Sequence, residues 1–333
     1  FVGVDPGERD WLHFNALDYN AELDHIIISC PEFHEIWIID HSTTTAEAAT
    51  GSGGNAGKGG DLIYRWGNPR AYGQGDATDQ QLFYQHNPNW IDDEIAPTTA
   101  NYNNIMVFSN REPGNVSSVY IINPGWDSGA NAYQMSGTTY LPTAPSYSYT
   151  EASIYSNILS SGQFLDNGNV LISSGRRGYA RELNSQDEII WEYKNPLVSG
   201  SGVSQGDSVA PSENMMFRLK RYSGAYAGLT GRNLSPGNYL EMNPDTTLCA
   251  QLPLSSHEET NTIRSIYPNP SAGELTIVRN DARTAELEVF DPFGRRVHRE
   301  VLRGLEVQLD LAHLPKGVYI LRSGRAIARI VLQ

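Results

Sequence analysis

Two histidines open copies of one repeated phrase, and they are the strongest candidates for chemistry in this chain. His13 opens the first copy and His86 the second, each followed by an apolar run, while the third copy opens with Ser161. An imidazole can act as a nucleophile or as a general acid and base near neutral pH. Repeats of tens of residues stack as equivalent units, so residues at matching places converge on one axis. The pattern therefore predicts a shared site that contains both histidines.

The charge of the chain restricts the ligands of such a site. Residues 1–264 hold 14 Lys+Arg against 30 Asp+Glu, a net charge of −16, whereas residues 265–333 hold 10 against 8. Nucleic acid and anionic membranes bind basic surfaces, so neither is expected as a partner. An anionic small molecule would need a local group of arginines and histidines. Asn15 and Asn89, which lie close to the two histidines in sequence, are candidate hydrogen-bond donors to it.

Other chemical signatures are missing from the sequence. No cluster of Cys, His, Asp or Glu has metal-ligand spacing, and no Gly-x-Ser-x-Gly elbow occurs, so neither a metal site nor a serine hydrolase is expected. The glycine-rich stretch 50–60 lacks the spacing of a phosphate-binding loop and is expected to be a flexible loop. Cys30 and Cys249 either form a disulfide that closes the large domain or remain two buried thiols.

The elements that must position these residues are short β-strands. Apolar runs bounded by Gly, Asn, Asp and Pro recur between residues 11 and 245, and long helical periodicity is absent. Consecutive antiparallel strands repeated in this way predict an all-β fold, a β-propeller with about four blades, the weaker fourth spanning 203–243. The stretch 123–149 is expected to be a long excursion of the kind that often covers a site. Because the chain starts abruptly at Phe1, earlier blades are expected to precede it.

Several other basic side chains are assigned by their place in these units. His25, His34 and His41 fall within or after outer strands and are expected at the surface. Arg176 and Arg177 follow the inner strand of the third unit, where they either face the mouth of the channel or form a solvated hairpin. Inner strands are expected to follow the repeated phrase. A second strand follows in each of the three clearest units, and a third strand, at 61–69 and 188–196, closes two of them.

The pattern of the sequence changes after residue 251. Residues 252–264 are polar without periodicity and predict a linker between a large domain, 1–251, and a small domain, 265–333. The small domain contains five short stretches in which polar and apolar residues alternate. Such stretches predict a small antiparallel β-sandwich of the immunoglobulin-like type.

Three landmarks occur in order in the small domain. They are Tyr267-Pro268-Asn269-Pro270 with Gly273, then Phe290-Asp291-Pro292-Phe293-Gly294-Arg295, then Leu314-Pro315-Lys316-Gly317-Val318-Tyr319-Ile320-Leu321. With these landmarks the domain resembles the C-terminal sorting domain of the type IX secretion system. The resemblance implies export across the outer membrane of a Bacteroidetes-type bacterium and a secreted or outer cell-surface location. It also implies that residues 265–333 have the secretion machinery as their partner.

The large domain carries a second set of landmarks. They are the segments 10–15, 35–48, 57–69, 79–86, 216–218 and 226–232. These motifs resemble those of the bacterial arylsulfate sulfotransferases, whose fold is a six-bladed propeller, so the blades present here would form part of such a ring. The resemblance implies transfer of a sulfuryl group between phenols through a covalent histidine intermediate, without a metal or other cofactor. His13 and His86 match two channel-lining histidines of that family, and Arg111 matches its sulfate-binding arginine.

One departure from the family leaves two functions open. The family's nucleophilic histidine comes from a later blade, where this chain has Ser161, with Ser160 and Asn157 nearby. Either His86 or His13 takes over that role, with His86 preferred and His13 left to bind sulfate or protonate the leaving phenolate, or the protein binds without turnover. In the first case the substrates are an aryl sulfate and a phenol. In the second case, a non-catalytic propeller binds an aromatic or sulfated ligand, such as a glycan, in its channel.

Overall fold

Antiparallel β-sheets make up almost all of the regular structure, which confirms the all-β class. The computed structural model describes residues 9–93, 95–224, 226–245, 263–279, 282, 285–292, 295–323 and 326–333. Among these residues there are twenty-five strands, one four-residue α-helix and six short 3-10 helices. Two compact units divide the chain between residues 245 and 246.

The first sheet contains the first copy of the repeated phrase. Its four strands pair antiparallel in chain order, β1 (Ala16–Asn20), β2 (His25–Cys30), β3 (Glu35–Asp40) and β4 (Tyr64–Trp66). A 3-10 helix over Pro31–Phe33 joins β2 to β3 and ends at His34, whose φ of 58° is left-handed. The β3–β4 connection contains helix α1 (Thr45–Ala48), which begins with a capping box between Thr44 and Glu47.

The second sheet has the same order and a long insertion before its last strand. Its strands are β5 (His86–Trp90), β6 (Ile105–Glu112), β7 (Val116–Ile122) and, after the insertion, β12 (Tyr147–Glu151). The insertion holds two small hairpins, β8 (Trp126–Asp127) with β9 (Ala132–Tyr133), and β10 (Met135–Ser136) with β11 (Thr139–Tyr140). The expected excursion 123–149 therefore ends inside a strand of the second sheet. Two 3-10 helices, Pro69–Tyr72 and Ala77–Asp79, precede β5.

The third sheet repeats the arrangement once more. Its strands are β13 (Ser161–Phe164), β14 (Val170–Ser174), β15 (Tyr179–Leu183) and β16 (Ile189–Lys194). 3-10 helices lie at Ala152–Ile154 and Gly175–Arg177. In all three sheets the repeated phrase itself forms the first strand, and the apolar run after it forms the second. Each unit thus has four strands. The first strand is additional to those that the sequence predicts, because the polar phrase does not show the alternation of a half-buried strand.

The three sheets pack face to face, and the second sheet is covered on both faces. Ile105 and Val107 of β6 join a buried cluster with isoleucines of β2 and β3. Met106 and Phe108, which point the other way, join a cluster with Ile172 and other residues of the third sheet. Side chains alternate between the faces of a strand, so a strand buried on both faces reads as a continuous apolar run. This explains why the second strands were the clearest signals in the sequence.

The expected fourth unit does not form a four-stranded sheet within the described residues. Between 195 and 245 the described chain has the hairpin of β17 (Leu197–Val198) and β18 (Ser201–Gly202), a 3-10 helix over Ala227–Leu229 and a single bridge between Ser204 and Met242. Part of this segment runs along β13, where Gln163 hydrogen-bonds both backbone groups of Arg221 at 2.8 Å. Phe217 nevertheless remains 55% exposed. Glycine, proline and serine interrupt the apolar residues there, so no strand ladder forms.

The second unit is a two-sheet antiparallel sandwich, as expected for residues 265–333. One sheet has the order β19-β20-β23 and the other β22-β21-β24-β25. The strands are β19 (Ile263–Tyr267), β20 (Glu274–Arg279), β21 (Ala285–Phe290), β22 (Arg296–Leu302), β23 (Glu306–Asp310), β24 (Gly317–Ser323) and β25 (Ala326–Leu332). Leu275, Leu287, Leu309 and Leu321 lie in the core between them. β19 and β22 were not predicted, and β19 begins two residues inside the expected linker.

Candidate functional site

The first strands of the three sheets, which contain the repeated phrase, lie side by side, although the inner strands were expected to follow the phrase. β1 neighbours β5, and β5 neighbours β13. Polar side chains tie them together, since the Trp90 N–H donates to the Asp18 carboxylate at 2.8 Å and Asn89 Nδ2 donates to the Gly162 carbonyl at 3.0 Å. The strands therefore converge, and side chains at their ends can meet.

A narrow cavity of about 210 Å³ opens between these first strands and the segment 218–222. Asp18 and Lys220 contribute charges of opposite sign to its wall. Burial raises the pKa of Asp18, although the Trp90 N–H and the nearby Lys220 favour its charged form. Neither His13 nor His86 belongs to the described lining of this cavity. Both histidines instead lie at the end where the first strands begin.

His13 precedes β1 by three residues and is exposed. Its φ of 46° is left-handed. Nδ1 hydrogen-bonds the carboxylate of Asp10, and the ring stacks on Tyr84 with centroids 6.2 Å apart and planes 26° apart. Nε2 has no hydrogen-bond partner within the described chain. A carboxylate on Nδ1–H selects the tautomer whose lone pair is on Nε2, so that atom can act as a base or a nucleophile.

The strand register shows that His13 and Ser161 are not at equivalent places. The first and third sheets share one hairpin, in which a three-residue 3-10 helix joins the second strand to the third. In that common frame Ala16 pairs with Ser29, and Ser161 pairs with Ser173. Ala16 therefore occupies the place of Ser161, whose hydroxyl hydrogen-bonds the backbone of Leu219 at 3.2 Å.

His86 is the first residue of β5, and both of its ring nitrogens are engaged. Nδ1 lies 2.8 Å from Asn110 Oδ1, and Nε2 accepts the Leu159 N–H at 3.1 Å. Asn110 Nδ2 donates to the carbonyls of Ser156 and Leu159, so its oxygen faces the imidazole as the acceptor. These contacts place the proton on Nδ1. Burial lowers the pKa of His86 to about 4, and nearby His13 and Arg111 add to that effect.

Tyr84 lies between the two histidines and joins Arg111 to them. Its ring centroid is 5.9 Å from that of His86, while the guanidinium carbon of Arg111 lies 3.5 Å from the Tyr84 centroid. This is a close cation–π contact. Arg111 Nε also donates to the Asn157 carbonyl at 2.9 Å. The structure thus brings His13, His86 and Arg111 together around Tyr84, a residue that no sequence motif singles out.

A second arginine reaches the same segment from the third sheet. Arg176 Nη1 donates to the side-chain oxygen of Asn157 at 2.9 Å, and its Nε donates to Ser212 Oγ at 2.8 Å. Arg111 and Arg176 therefore share Asn157 as a partner. Arg176 lies in the 3-10 turn after β14, and its contact with Asn157 places it at the same end of the sheets as Arg111. We refer to His13, Tyr84, Arg111 and Arg176 as the basic cluster.

The two asparagines expected to contact substrate hold strands together instead. Asn15 Nδ2 donates to the Gln85 carbonyl at 2.9 Å, which joins the segment before β1 to the segment before β5. Asn89 Nδ2 donates to the carbonyls of Asn87 and Gly162. Their amide nitrogens are therefore already used within the protein.

Two of the three histidines expected at the surface are not exposed. His25 is fully buried, and its Nδ1 lies 2.9 Å from the Tyr133 hydroxyl. His34 accepts the Tyr84 N–H at 3.0 Å and so helps to place the tyrosine of the basic cluster. Burial lowers the pKa of both histidines to about 4, and Arg111 contributes to the effect at His34. His41 is exposed as expected and pairs with Asp24. Cys30 is buried, whereas Cys249 lies outside the described residues.

The fold and the site define an all-β protein in which stacked four-stranded sheets present a basic cluster on an acidic unit. Residues 2–201 match the family model of the arylsulfotransferases (ASST), so the chain belongs to that family. Residues 265–331 match the secretion system C-terminal sorting domain, the type IX tail. The protein is therefore secreted and attached at the cell surface. Among the described residues, none of the helices combines the length and hydrophobicity of a membrane-crossing segment.

No curated protein matches the chain. Similar solved structures include a protein of unknown function from Bacteroides caccae, at 10% identity and a TM-score of 0.27, covering 92% of this chain and 89% of that one. Another is PorZ, an essential surface component of the type-IX secretion system of Porphyromonas gingivalis, at 12% identity and a TM-score of 0.19, covering 96% and 51%. These TM-scores are too low to support a shared fold, so the description of the architecture depends only on the packing of the sheets in this chain.

Proposed function

We propose that this protein is a secreted sulfotransferase that moves a sulfuryl group from an aryl sulfate to a phenol, with His13 as the nucleophile. The observation that carries the proposal is the basic cluster, which gathers an imidazole with a free Nε2, an aromatic ring and two guanidinium groups. Residues 1–264 have a net charge of −16, which repels anions. A sulfate ester therefore needs a local positive cluster of this kind in order to bind. The three stacked sheets are proposed to be blades of a β-propeller.

His13 suits the nucleophilic role better than His86, contrary to the preference drawn from the sequence. The lone pair of His86 Nε2 accepts the Leu159 N–H and would have to break that hydrogen bond before attacking sulfur. His13 Nε2 needs no such rearrangement. The Asp10 carboxylate on Nδ1 would also stabilise the positive charge that the ring acquires in the reaction.

The arginines and the tyrosine supply the rest of a sulfuryl-transfer site. Arg111 uses Nε on Asn157, and we assign its terminal nitrogens to two sulfuryl oxygens. Arg176 adds a second cation on the same segment. Tyr84 is half-buried, and we propose that the aryl ring of the donor packs against its ring.

The reaction then proceeds in two displacements. His13 Nε2 attacks the sulfur of the aryl sulfate, an N–S bond forms, and the S–O bond to the aryl group breaks with its electron pair leaving on the phenolate. In the second step the oxygen of the acceptor phenol, as it loses its proton, attacks the same sulfur. The N–S bond breaks and returns the lone pair to Nε2. The first phenolate takes up the proton that the acceptor loses, so charge and protons balance.

The first prediction tests the nucleophile with 4-nitrophenyl sulfate as donor and a phenol as acceptor. Replacing His13 with Asn, which tolerates the left-handed φ, should lower the rate of 4-nitrophenol release about a hundredfold or more. Protein incubated with 35S-labelled donor should retain label in the native chain and none in the His13→Asn variant.

The chain offers a matched control. His41 is also exposed, also contacts an aspartate through Nδ1 and also packs on a tyrosine, but no arginine of the described chain contacts that tyrosine or histidine. His41→Asn should leave both readouts unchanged. Equal losses in the two variants, or label retained in His13→Asn, would show that His13 is not the nucleophile.

A second candidate function is ligand binding without turnover in the cavity between the first strands. The observation that favours it is that His86 and Ser161 are both engaged within the protein, which leaves only Nε2 of His13 as a partnerless ring nitrogen of these two histidines within the described chain. Binding of 4-nitrophenyl sulfate with no release of 4-nitrophenol across several acceptors would support this function over catalysis.

A further inference from the structure

A larger cavity lies at the opposite end of the first strands from the basic cluster. Its volume is about 770 Å³, and its walls come from the turn after β1, the glycine-rich loop, the segment 100–104 before β6 and the segment 123–131 after β7. His13 and His86 stand where the first strands begin, whereas these walls follow the ends of those strands. We call this cavity the asparagine cleft. It is therefore a separate site from the one proposed for sulfuryl transfer.

The chemistry of the cleft walls is amide-rich and lacks cations. Asn55, Asn103, Asn123 and Asn131 line it, together with one carboxylate, Glu22, and the described lining contains no Lys, Arg or His. An asparagine amide offers both donors and an acceptor, which matches a hydroxyl group that also donates and accepts. A ligand carrying negative charge would find no counter-charge here. The walls therefore suit a neutral ligand with many hydroxyl groups.

Two of the amides are uncommitted. The side chains of Asn55 and Asn131 are exposed, and the described chain provides neither with a hydrogen-bond partner. Asn103, in contrast, is held in place, because its oxygen accepts from Asn20 at 2.8 Å and its nitrogen donates to Glu22 at 3.3 Å. The cleft thus combines fixed polar groups with others that are available to a ligand.

An aromatic wall completes the cleft and is rigidly supported. Trp126 packs edge-on against His25, with centroids 4.6 Å apart, and against Tyr133 at 4.9 Å. On another wall, the Tyr102 hydroxyl donates to Glu22 at 2.8 Å, which fixes that ring. Sugar rings have an apolar C–H face and a rim of hydroxyls, so they bind where aromatic faces and planar polar groups occur together.

From these walls we infer that the asparagine cleft binds a neutral oligosaccharide. A pocket of this size accommodates about two or three sugar rings, since pockets for ligands of that mass are roughly 300–1,000 Å³. The inference is independent of sulfuryl transfer. For a protein attached at the cell surface, such a cleft would hold it on a glycan while the basic cluster faces the opposite end of the sheets.

The test is titration calorimetry of the full chain with four neutral probes, namely cellotriose, maltotriose, mannotriose and triacetylchitotriose. At least one should bind. Trp126→Ala should weaken that binding about tenfold by removing the aromatic surface, and Asn55→Ala about fivefold by removing one amide. Asn55 is exposed, so its replacement does not endanger folding even if that of Trp126 does.

Asn233 is an exposed asparagine outside the cleft, so Asn233→Ala is the matched control. This variant should bind the probe as the native chain does. Asn55→Ala should also leave sulfuryl transfer from 4-nitrophenyl sulfate unchanged, which separates this inference from the proposed enzymatic function. No binding of any neutral probe up to about 10 mM would overturn the inference. Affinity unaltered in both cleft variants, or binding of sulfated trisaccharides alone, would overturn it as well.

Discussion

At the scale of single residues, His86 holds a segment rather than offering a lone pair. Its two nitrogens contact Asn110 and Leu159, and Asn110 in turn donates to the Leu159 carbonyl. A buried polar side chain whose donors and acceptors are all satisfied stabilises one arrangement of its neighbours. The neighbours here belong to the segment that includes Asn157, the shared partner of the two arginines. His86 therefore helps to hold in place the segment that carries Asn157, the partner of Arg111 and Arg176.

This network has a consequence for the pH dependence of stability. Burial lowers the pKa of His86 from an ordinary value of 6.5 to about 4 in the folded state. Between these values the unfolded chain binds a proton that the folded chain does not, so the stability contributed by neutral His86 is lost as pH falls from 6.5 toward 4. His86→Gln should lessen the fall in the free energy of unfolding by up to about 1.4 kcal/mol per pH unit.

Urea unfolding of both proteins between pH 4.5 and 7.5 measures the effect. His25 and His34 titrate in the same window in both proteins, so their contributions cancel in the difference. Parallel stability curves for the native chain and the variant would contradict the assignment of a neutral, buried His86.

At the scale of the strands, close approach between sheets depends on small residues and on paired charges. Gly162 of β13 is an example, because a Cβ there would lie 3.0 Å from both Met106 and Val119 of the second sheet. In the first sheet, Glu35 is fully buried on β3 and accepts from Arg65 on β4 at 2.5 Å and from Trp37 at 2.7 Å. Burial raises the pKa of Glu35, and Arg65 and Trp37 oppose that rise.

Removing the guanidinium group of Arg65 should therefore lower the stability of the folded state. Arg65→Met would leave the Glu35 carboxylate buried without its counter-charge, and we expect the free energy of unfolding to fall by about 3–5 kcal/mol. The double variant Glu35→Gln with Arg65→Met should recover most of that loss, because no charge is then left unpaired. Urea unfolding followed by tryptophan fluorescence measures both changes.

The exposed pair of Lys220 and Asp93 provides the comparison, since its side chains are 42% and 73% exposed. Lys220→Met should cost less than about 1 kcal/mol. A small loss for Arg65→Met, or no recovery in the double variant, would mean that the ion pair does not stabilise the β3–β4 pairing.

At the scale of the whole molecule, the chain consists of two compact units that belong to two different families. The first belongs to the arylsulfotransferase family and carries both candidate sites, and the second is the sorting sandwich with its own core. Because each unit has its own core, we expect each to fold without the other. The acidic charge is confined to residues 1–264, so the sorting unit has nearly balanced charge.

Deleting residues 265–333 should leave the thermal transition of the first unit within a few degrees of its value in the full chain. The same deletion should abolish delivery to the cell surface, because the address is lost. Calorimetry and detection of the protein in cell fractions measure the two effects. Loss of the first unit's transition would place the boundary elsewhere.

The sequence by itself determined the all-β class, the second strands of each sheet and the sorting sandwich. Buried strands show as apolar runs or alternation within a few neighbouring residues, and the family motifs are likewise contiguous. The polar first strands, β19 and β22 were not predicted. Their backbones pair in sheets, but their residues do not show that alternation. The fourth unit was predicted from apolar residues that find no ladder within the described chain.

Only the tertiary structure decided which histidine is available. His13 and His86 looked alike in sequence, yet Leu159, which lies 73 positions after His86, occupies the Nε2 of His86 alone. Arg111 and Arg176 meet because two sheets bring them to one asparagine. Such contacts depend on strand register and on the packing of separate sheets, which local residue patterns do not encode. The candidate residues could therefore be selected from the sequence, while their roles followed from the fold.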